Sequence, residues 1–333
     1  NTCIACNQAC LDHAFLEKDV SCVVNPRAVR ELDYPVDKRD SKRVVVIGSG
    51  PAGLEAARAA AEIGHKVILI EKDSEIGGQL IMAAKIPGKF EFLETIRYYK
   101  NELKDLNVDI RLNTECTLDL LKELNSDAII FATGVKPREV NIDGLEKVHH
   151  VTYSDFLKGK NKVGEKVVII GGGGIAVDIA HLLTAHGEDL ESYFKRYKID
   201  TYNKIGIEKQ SSSKDITIFK RSGKVGAGLG QTTFWALKQE LENTGVKFIT
   251  GLKYKEVKES NLVYEDNKSG ELNSTVVDTI ILCAGQESEN KLAEECKNVM
   301  PDKKVIVVGG AKNSSGIDAK RAFQEGLDAA YSI

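Results

Sequence analysis

From residue 43 onward the apolar residues of this chain gather into short runs closed by glycines. Val44–Ile47 leads into Gly48-Ser49-Gly50, then an alanine-rich stretch, Pro51–Ile63, then a second run, Val67–Ile70, that ends in Glu71. Short β-branched runs bounded by glycine predict buried strands, and the small-residue stretch between them predicts a helix, so 44–72 is expected to form a βαβ unit. The pattern returns. Val167–Ile170 leads into Gly171, a helix through Asp178 to Leu183, and a strand at Ile216–Phe219. Two more runs match each other, DAIIFATG at 127–134 and DTIILCAG at 278–285, and a last one, VIVVGG, spans 305–310.

This duplication predicts an α/β protein with two nested Rossmann-like dinucleotide-binding domains, the second inserted into the first. The expected boundaries are 1–40 for an amino-terminal cysteine-bearing segment, 41–140 with 285–333 for the first domain, and 141–284 for the inserted one. Pro137 is expected to turn the chain out of the first domain, and DTIILCAG to bring it back. Residues from about Gly187 to Asp215 read as a charged, partly helical insertion. His149 and His150 read as a polar patch in the linker, without a third ligand for a metal.

Composition narrows the function more by exclusion than by indication. The chain has 333 residues and a formal net charge of −3, with 46 basic and 49 acidic side chains interspersed, so nucleic acid is not expected as a partner. No apolar run approaches the roughly 18 residues that cross a bilayer, and no charged-then-apolar leader is present, so a cytoplasmic protein is expected. The chain begins Asn1-Thr2-Cys3 without methionine, which suggests a fragment or processed product. No HExxH, nucleophile elbow or carboxylate pair occurs, so no acid–base residue is expected to be catalytic.

The glycine-rich turns carry the first chemistry. In G-x-G-x-x-G, Gly48 permits the tight turn, Gly50 lets backbone approach a pyrophosphate, and Gly53 lets the helix lie close on the sheet. The free N–H groups of the helix start, with Pro51 and Ala52 in its first turn, favour an anion. Glu71, followed by Lys72, stands about 20 residues on, where an acid accepts from a ribose diol. The small residues Ala132, Thr133 and Gly134 close one strand at the crevice where doubly wound sheets bind ligands, and Gly285 closes its counterpart. The second turn reads G-x-G-x-x-A, with Gly171, Gly173, Gly174, Ile175 and Ala176. Its following strand ends in Lys220-Arg221 instead of an acid, and cations suit a 2′-phosphate, so NADPH is favoured with NADH possible. Exposed cations at a strand end would also read simply as solvated charge.

The cysteines carry the second chemistry. Four of seven fall in the first 22 residues, as Cys3, Cys6, Cys10 and Cys22, spaced C-x2-C-x3-C-x11-C. Three thiolates on one tight loop with a fourth after an excursion suit a [4Fe–4S] cluster, and four soft ligands also suit zinc, which prefers two C-x2–4-C pairs.

CIACNQACLDHAF and SCVVNPRA, followed by the glycine-rich unit, and then VGAGLGQTT, CAGQE and GIDAKRAFQEG, together resemble the carboxy-terminal half of bacterial 2,4-dienoyl-CoA reductase, the 2-enoate reductases and trimethylamine dehydrogenase. The resemblance covers essentially the whole chain. It implies a glutathione/thioredoxin-reductase-like fold, FAD at the first turn, NAD(P)H at the second and a [4Fe–4S] cluster on Cys3, Cys6, Cys10 and Cys22. It implies that Gly78 and Gln79 lie beside the flavin and its ribityl chain, that Gly309 and Gly310 approach the FAD phosphates and ribitol, and that the final helix, starting near Asp318 and Ala319, points at the flavin. Electrons would pass from NADPH through FAD to the cluster and on to FMN in an amino-terminal TIM barrel that this chain lacks. Two other readings stand beside it: a reductase subunit for a separate partner, similar to the glutamate synthase small subunit, and a zinc- and nucleotide-binding protein without turnover.

Overall fold

The computed structural model describes residues 1–185, Phe194 and residues 212–333, so the insertion expected at 187–215 lies almost wholly outside the described residues. The chain divides into two compact units, residues 1–84, 88–136 and 286–333 in one and 85–87 and 137–285 in the other. In chain order the first unit opens with α1 (Leu11–Phe15), β1 (Arg43–Ile47), α2 (Pro51–Glu62), β2 (Lys66–Ile70), α3 (Gln79–Ala83), α4 (Phe92–Asp105), β3 (Asp109–Arg111), α5 (Leu118–Leu124), β4 (Ala128–Phe131) and β5 (Val135–Pro137). There follow β6 (His149–Thr152), α6 (Tyr153–Leu157), β7 (Lys166–Ile170), α7 (Gly174–Thr184), β8 (Asp215–Lys220), α8 (Gln231–Asn243), β9 (Lys247–Thr250), β10 (Leu252–Lys258), β11 (Asn261–Asp266), β12 (Leu272–Val276) and β13 (Thr279–Leu282). The first unit is completed by β14 (Gln286–Ser288), α9 (Lys291–Val299), β15 (Lys304–Val307) and α10 (Ala319–Tyr331).

The first unit's main sheet is parallel, in the order β15-β4-β1-β2-β3. β1 pairs with β2 on one side and β4 on the other, so the build-up of the sheet reverses beside β1, where a ligand crevice opens. Helices cover both faces, and the strand residues alternate accordingly. Val44 and Val46 pack with Leu54, Tyr99 and Phe323 from α2, α4 and α10, whereas Val45 and Ile47 pack with Leu121 and Cys296 from α5 and α9.

The second unit repeats this plan, in the order β6-β13-β7-β8-β9 and again parallel. The two units share small devices as well as topology. Asp127 Oδ2 accepts from the Arg43 amide at 2.7 Å at the start of β1, and Asp278 Oδ2 accepts from the Lys166 amide at 2.8 Å at the start of β7. These aspartates open the two matching runs and fix the neighbouring strand's register.

Two readings of the sequence need correction. His149 and His150 are not linker residues: they open β6, paired in parallel with Thr279 and Ile280 of β13. Val148 and Val151 beside them are buried, so the pair lies at the start of an edge strand anchored by β-branched neighbours. The second unit also carries an antiparallel sheet, β10-β11-β12, that the run-counting did not anticipate. Only Leu252, Val257 and Leu262 of its strands are fully buried, and the intervening lysines and glutamates hide the period. No helix among the described residues is long and apolar enough to cross a membrane.

Candidate functional site

The first glycine-rich turn lies at the carboxyl ends of β1 and β4. Gly48 has φ +94°, and a Cβ there would lie 2.5 Å from the Ala132 carbonyl oxygen. A Cβ on Gly53 would lie 1.8 Å from the Gly48 oxygen, so neither position accepts a side chain. Gly50 differs: a Cβ there would meet nothing within 4 Å, which leaves an open cradle before the amides of α2. Gly78, at φ +53°, closes on the same turn, its Cβ position 3.0 Å from the Gly50 Cα, and the Gly77 amide donates to the Ser49 carbonyl at 2.9 Å. Gln79 and Lys72 are exposed beside it. Glu71 is buried, its Oε2 accepting from the Ser49 amide at 2.8 Å and hydroxyl at 2.6 Å and its Oε1 from the Asp73 amide at 2.9 Å. That leaves Oε1 acceptor capacity for a further donor such as a sugar hydroxyl.

β15 ends in a turn that reaches the same place. Gly309 has its Cβ position 3.0 Å from the Ala52 methyl, and its amide donates to Glu325 Oε2 at 2.6 Å. A side chain at Gly310 would come within 2.5 Å of Val135, so that position contributes backbone only. Asp318 is the N-cap of α10, its Oδ1 accepting from the Arg321 amide at 2.7 Å, and Ala319 follows as the first helical residue. Thr133 Oγ1 donates to the Glu289 carbonyl, and Gly134 follows at φ +75°.

The second turn copies the first. Gly171 has φ +117°, with its Cβ position 2.2 Å from the Cys283 carbonyl oxygen, the counterpart of Ala132, and Gly173 is as open as Gly50. Ala176 is fully buried where the first unit has Gly53. Gly174 lies under Leu229, and Ile175 follows it half-buried in the first turn of α7. The Gly226 amide donates to the Gly172 carbonyl at 2.9 Å, so the segment VGAGLGQTT packs onto this turn. Lys220 lies across Gly172 and its ammonium donates to the Lys224 carbonyl, whereas the Arg221 side chain is exposed. Gly285, exposed at φ +105°, ends the matching run.

The four amino-terminal cysteines are gathered on the first unit. Cys6 and Cys22 pack against its core beside Ile4, Ala9, Val23 and Val24. Burial, and then Cys22, Cys10 and Cys3 in that order, push the Cys6 thiol up, although the Gln8 amide hydrogen-bonds to it; the other three sulfurs are close enough to act on Cys6. The Ala5 amide approaches Cys3 Sγ at 3.4 Å, the Gln8 amide bonds to Cys6, and Ala5 and Asn7 adopt positive φ in this loop. Amides aimed at sulfur are a feature of thiolate loops that hold a metal or cluster. Among the described residues no three Cys, His, Asp or Glu side chains have converged closely enough to hold a metal ion.

Residues 42–311 match the pyridine nucleotide-disulphide oxidoreductase family. The chain belongs to that family. It is 34% identical over 298 residues to a metal reductase of Desulforamulus reducens, a match covering 87% of this chain and 44% of that protein. Among solved structures it resembles 2-naphthoyl-CoA reductase in complex with 2-naphthoyl-CoA, with a TM-score of 0.85 and 27% identity over 100% of this chain and 46% of the other. Thioredoxin reductase of T. acidophilum shares the fold, with a TM-score of 0.62 and 17% identity over 88% of this chain and 98% of the other. The chain thus spans less than half the length of the reductases it matches first.

Membership in the pyridine nucleotide-disulphide oxidoreductases makes this an oxidoreductase module with FAD and NAD(P)H as its implied cofactors, and two open glycine cradles fit two dinucleotides. The inserted segment, 137–285, has a single cysteine in its sequence, Cys283, and so no C-x-x-C dithiol of thioredoxin-reductase type. Cys116 is a partly buried thiol, packed in one apolar cluster with Cys296, and burial, with Cys296 nearby, pushes it up to about 12. A thiol so placed is unreactive. Sequence reasoning missed Ser49, which holds Glu71, and Gly326 of α10, whose Cβ position lies 2.2 Å from the Ala52 oxygen. Gly326 carries no local signal, because nothing in its own helix demands glycine.

Proposed function

We propose that this chain is an electron-transfer module that oxidises NAD(P)H, NADPH in preference, with FAD at the first turn and a [4Fe–4S] cluster on Cys3, Cys6, Cys10 and Cys22. A hydride carries two electrons together and a cluster accepts one at a time; a flavin supplies both kinds of chemistry. The acceptor beyond is the FMN of a TIM-barrel domain or subunit that reduces 2,4-dienoyl-CoA or 2-enoate double bonds. The FAD-binding domain then comprises 41–140 and 285–333, and the NAD(P)H-binding domain 141–284.

The observation that carries this reading is the shared platform: Cys6 and Cys22 pack against the same apolar cluster as Ala52 and Leu54, which follow the open cradle at Gly50, and all belong to one compact unit. The residues have separable tasks. The amides after Gly50 and Gly173 receive pyrophosphates, Gly78, Gln79, Ala132–Gly134, Gly309, Gly310, Asp318 and Ala319 line the flavin site, and Glu71 accepts from the ribose. Arg221, with Lys220 beside it, supplies positive charge for a 2′-phosphate. Exposed apolar side chains also concentrate on the cysteine segment: Phe15 is 69% and Leu32 97% exposed, with Leu11, Leu16, Val20, Val29 and Val36 also uncovered. A surface of that kind suits the acceptor's docking.

Anaerobic purification followed by iron, sulfide, zinc and flavin analysis tests the proposal, together with spectra during titration with NADPH and then NADH. The expected protein is yellow-brown, with four irons per flavin, and NADPH bleaches the flavin. A colourless zinc protein, or a flavin that NADPH does not bleach, would overturn it. The chain alone is expected to reduce artificial acceptors and to leave dienoyl-CoA unchanged.

A further inference from the structure

The last helix, α10, touches both halves of the first unit's chemistry. One face, made of Ala322, Phe323, Gly326, Leu327, Ala329 and Ala330, is buried. Gly326 rests on the Ala52 carbonyl in the first turn of α2, Ala322 approaches Gly309, and the Phe323 ring stacks on Tyr99 with centroids 5.6 Å apart. This face holds the helix against the glycine-rich turn itself.

A second face carries Lys320, Gln324, Asp328 and Tyr331, which recur at the i, i+4, i+8, i+11 spacing of one helical stripe. Every one of them contacts the cysteine segment. Lys320 Nζ lies 2.9 Å from His13 Nε2, and His13 Nδ1 lies 2.7 Å from the Asp19 carbonyl. A proton on Nδ1 satisfies that carbonyl and leaves Nε2 to accept from the ammonium. Tyr34 OH donates to Asp328 Oδ1 at 2.6 Å and accepts from Gln324 Nε2 at 3.1 Å. Tyr331 OH donates to the Pro35 carbonyl at 2.8 Å, and its ring meets Tyr34 edge-on at 5.0 Å. Lys320 is also in the wrong place for its own helix. A cation in the first turn opposes the helix dipole, so helix stability does not account for it.

We infer that α10 is a strut that sets the position of the cysteine loop with respect to the first glycine-rich turn, with Lys320 and Asp328 as its positioning residues. The inference rests on the proposed reading that these two places hold the cluster and FAD. A helix of 13 residues spans about 20 Å, enough to brace α1 and residues 34–35 at once. Lys320 has a second effect, since its ammonium is the cation that α10 brings to the cysteine segment, and a cation favours the reduced, more negative state of a nearby centre.

The test uses the full chain, purified anaerobically, with Lys320→Met, Asp328→Asn and the conservative Lys320→Arg. Flavin content and the rate of flavin bleaching by NADPH should match the parent. The rate at which electrons appear on the cluster, followed by freeze-quench EPR, should fall about tenfold or more in Lys320→Met, the scale on which small misplacements act. Its cluster potential should move negative, and Lys320→Arg should restore both. Unchanged cluster reduction in Lys320→Met and Asp328→Asn would overturn the strut. If a variant loses its iron, hydrogen exchange decides: faster exchange confined to the cysteine segment supports the strut, and unchanged exchange there refutes it. A parent protein without iron is a different outcome, which refutes the proposed function itself.

Discussion

Gly326→Ala sets two well-measured effects against each other, and the structure says which wins. Alanine in place of glycine inside a helix gains about 0.8–1 kcal/mol in propensity. Against that, the new methyl would lie 2.2 Å from the Ala52 oxygen and 3.1 Å from both the Ala52 carbonyl carbon and the Ala56 amide nitrogen. All three are backbone atoms at the start of α2, so no side chain can rotate away. The helices must separate by about 1 Å to reach ordinary contact, and overpacking of this kind costs about 1–3 kcal/mol. The balance is a net loss of up to about 2 kcal/mol, or up to roughly 8 °C in the melting midpoint of a domain this large. Thermal melts of the holoprotein, read by near-ultraviolet dichroism and by release of flavin fluorescence, measure it. Flavin should also dissociate sooner, because Ala52 stands in the first turn of the cradle. A rise in the midpoint would mean that propensity governs and that α10 is not in close contact with α2.

Gly50→Ala is the complementary case: with nothing within 4 Å of the new methyl, apoprotein stability should stay within about 0.5 kcal/mol, while FAD affinity, measured by fluorescence titration, falls roughly 5- to 150-fold. Arg221→Ala should raise the KM for NADPH about tenfold and leave that for NADH unchanged in steady-state assays, and Lys220→Ala should do less, because its ammonium is already held by the Lys224 carbonyl. Burial and the hydrogen bond to Asp328 push the Tyr34 hydroxyl from 10 up to about 12. Its stabilisation is therefore present in full below pH 10 and is lost as the pH rises toward 12; Tyr34→Phe should be less stable than the parent in denaturant titrations below pH 10, with the gap closing across that window.

The parts of this fold that were legible in the sequence are those where backbone geometry leaves one residue type. Gly48 and Gly171 need positive φ against a neighbouring carbonyl, and Gly53 needs the absence of a Cβ, so their spacing shows at once. The buried parallel strands announce themselves because both faces are apolar. What stayed hidden depends on partners far away in the chain. Gly326 reads as a mild flaw in an otherwise good helix until α2 is placed beside it. Lys320, Gln324, Asp328 and Tyr331 read as a solvated stripe until residues 13 and 34–35 are seen to meet them. The strands β10–β12 escaped because a sheet exposed on one face can carry charge at most of its positions. His149 and His150 escaped because an edge strand anchored by one or two valines has too short a period to recognise.

The duplicated units differ most informatively at one equivalent position. Each glycine-rich turn packs on the carbonyl two residues before the end of its matching run, Gly48 on Ala132 and Gly171 on Cys283, so the two crevices are built alike. At the end of the next strand the charges are opposite. Glu71 is buried and held by Ser49 and Asp73, which keeps a carboxylate aimed along the first crevice, whereas Lys220 and Arg221 stand at the end of β8. A 2′-phosphate would meet repulsion at the first site and attraction at the second, and Glu71 offers a free ribose diol an acceptor at the first. On the proposed reading this single inversion sorts the two nucleotides between otherwise similar crevices. It also means that exchanging the charges at the equivalent positions, Glu71→Lys with Lys220→Glu, should impair both sites rather than swap them, because Ser49 would lose the acceptor that fixes its turn and Gly172 the side chain that lies across it.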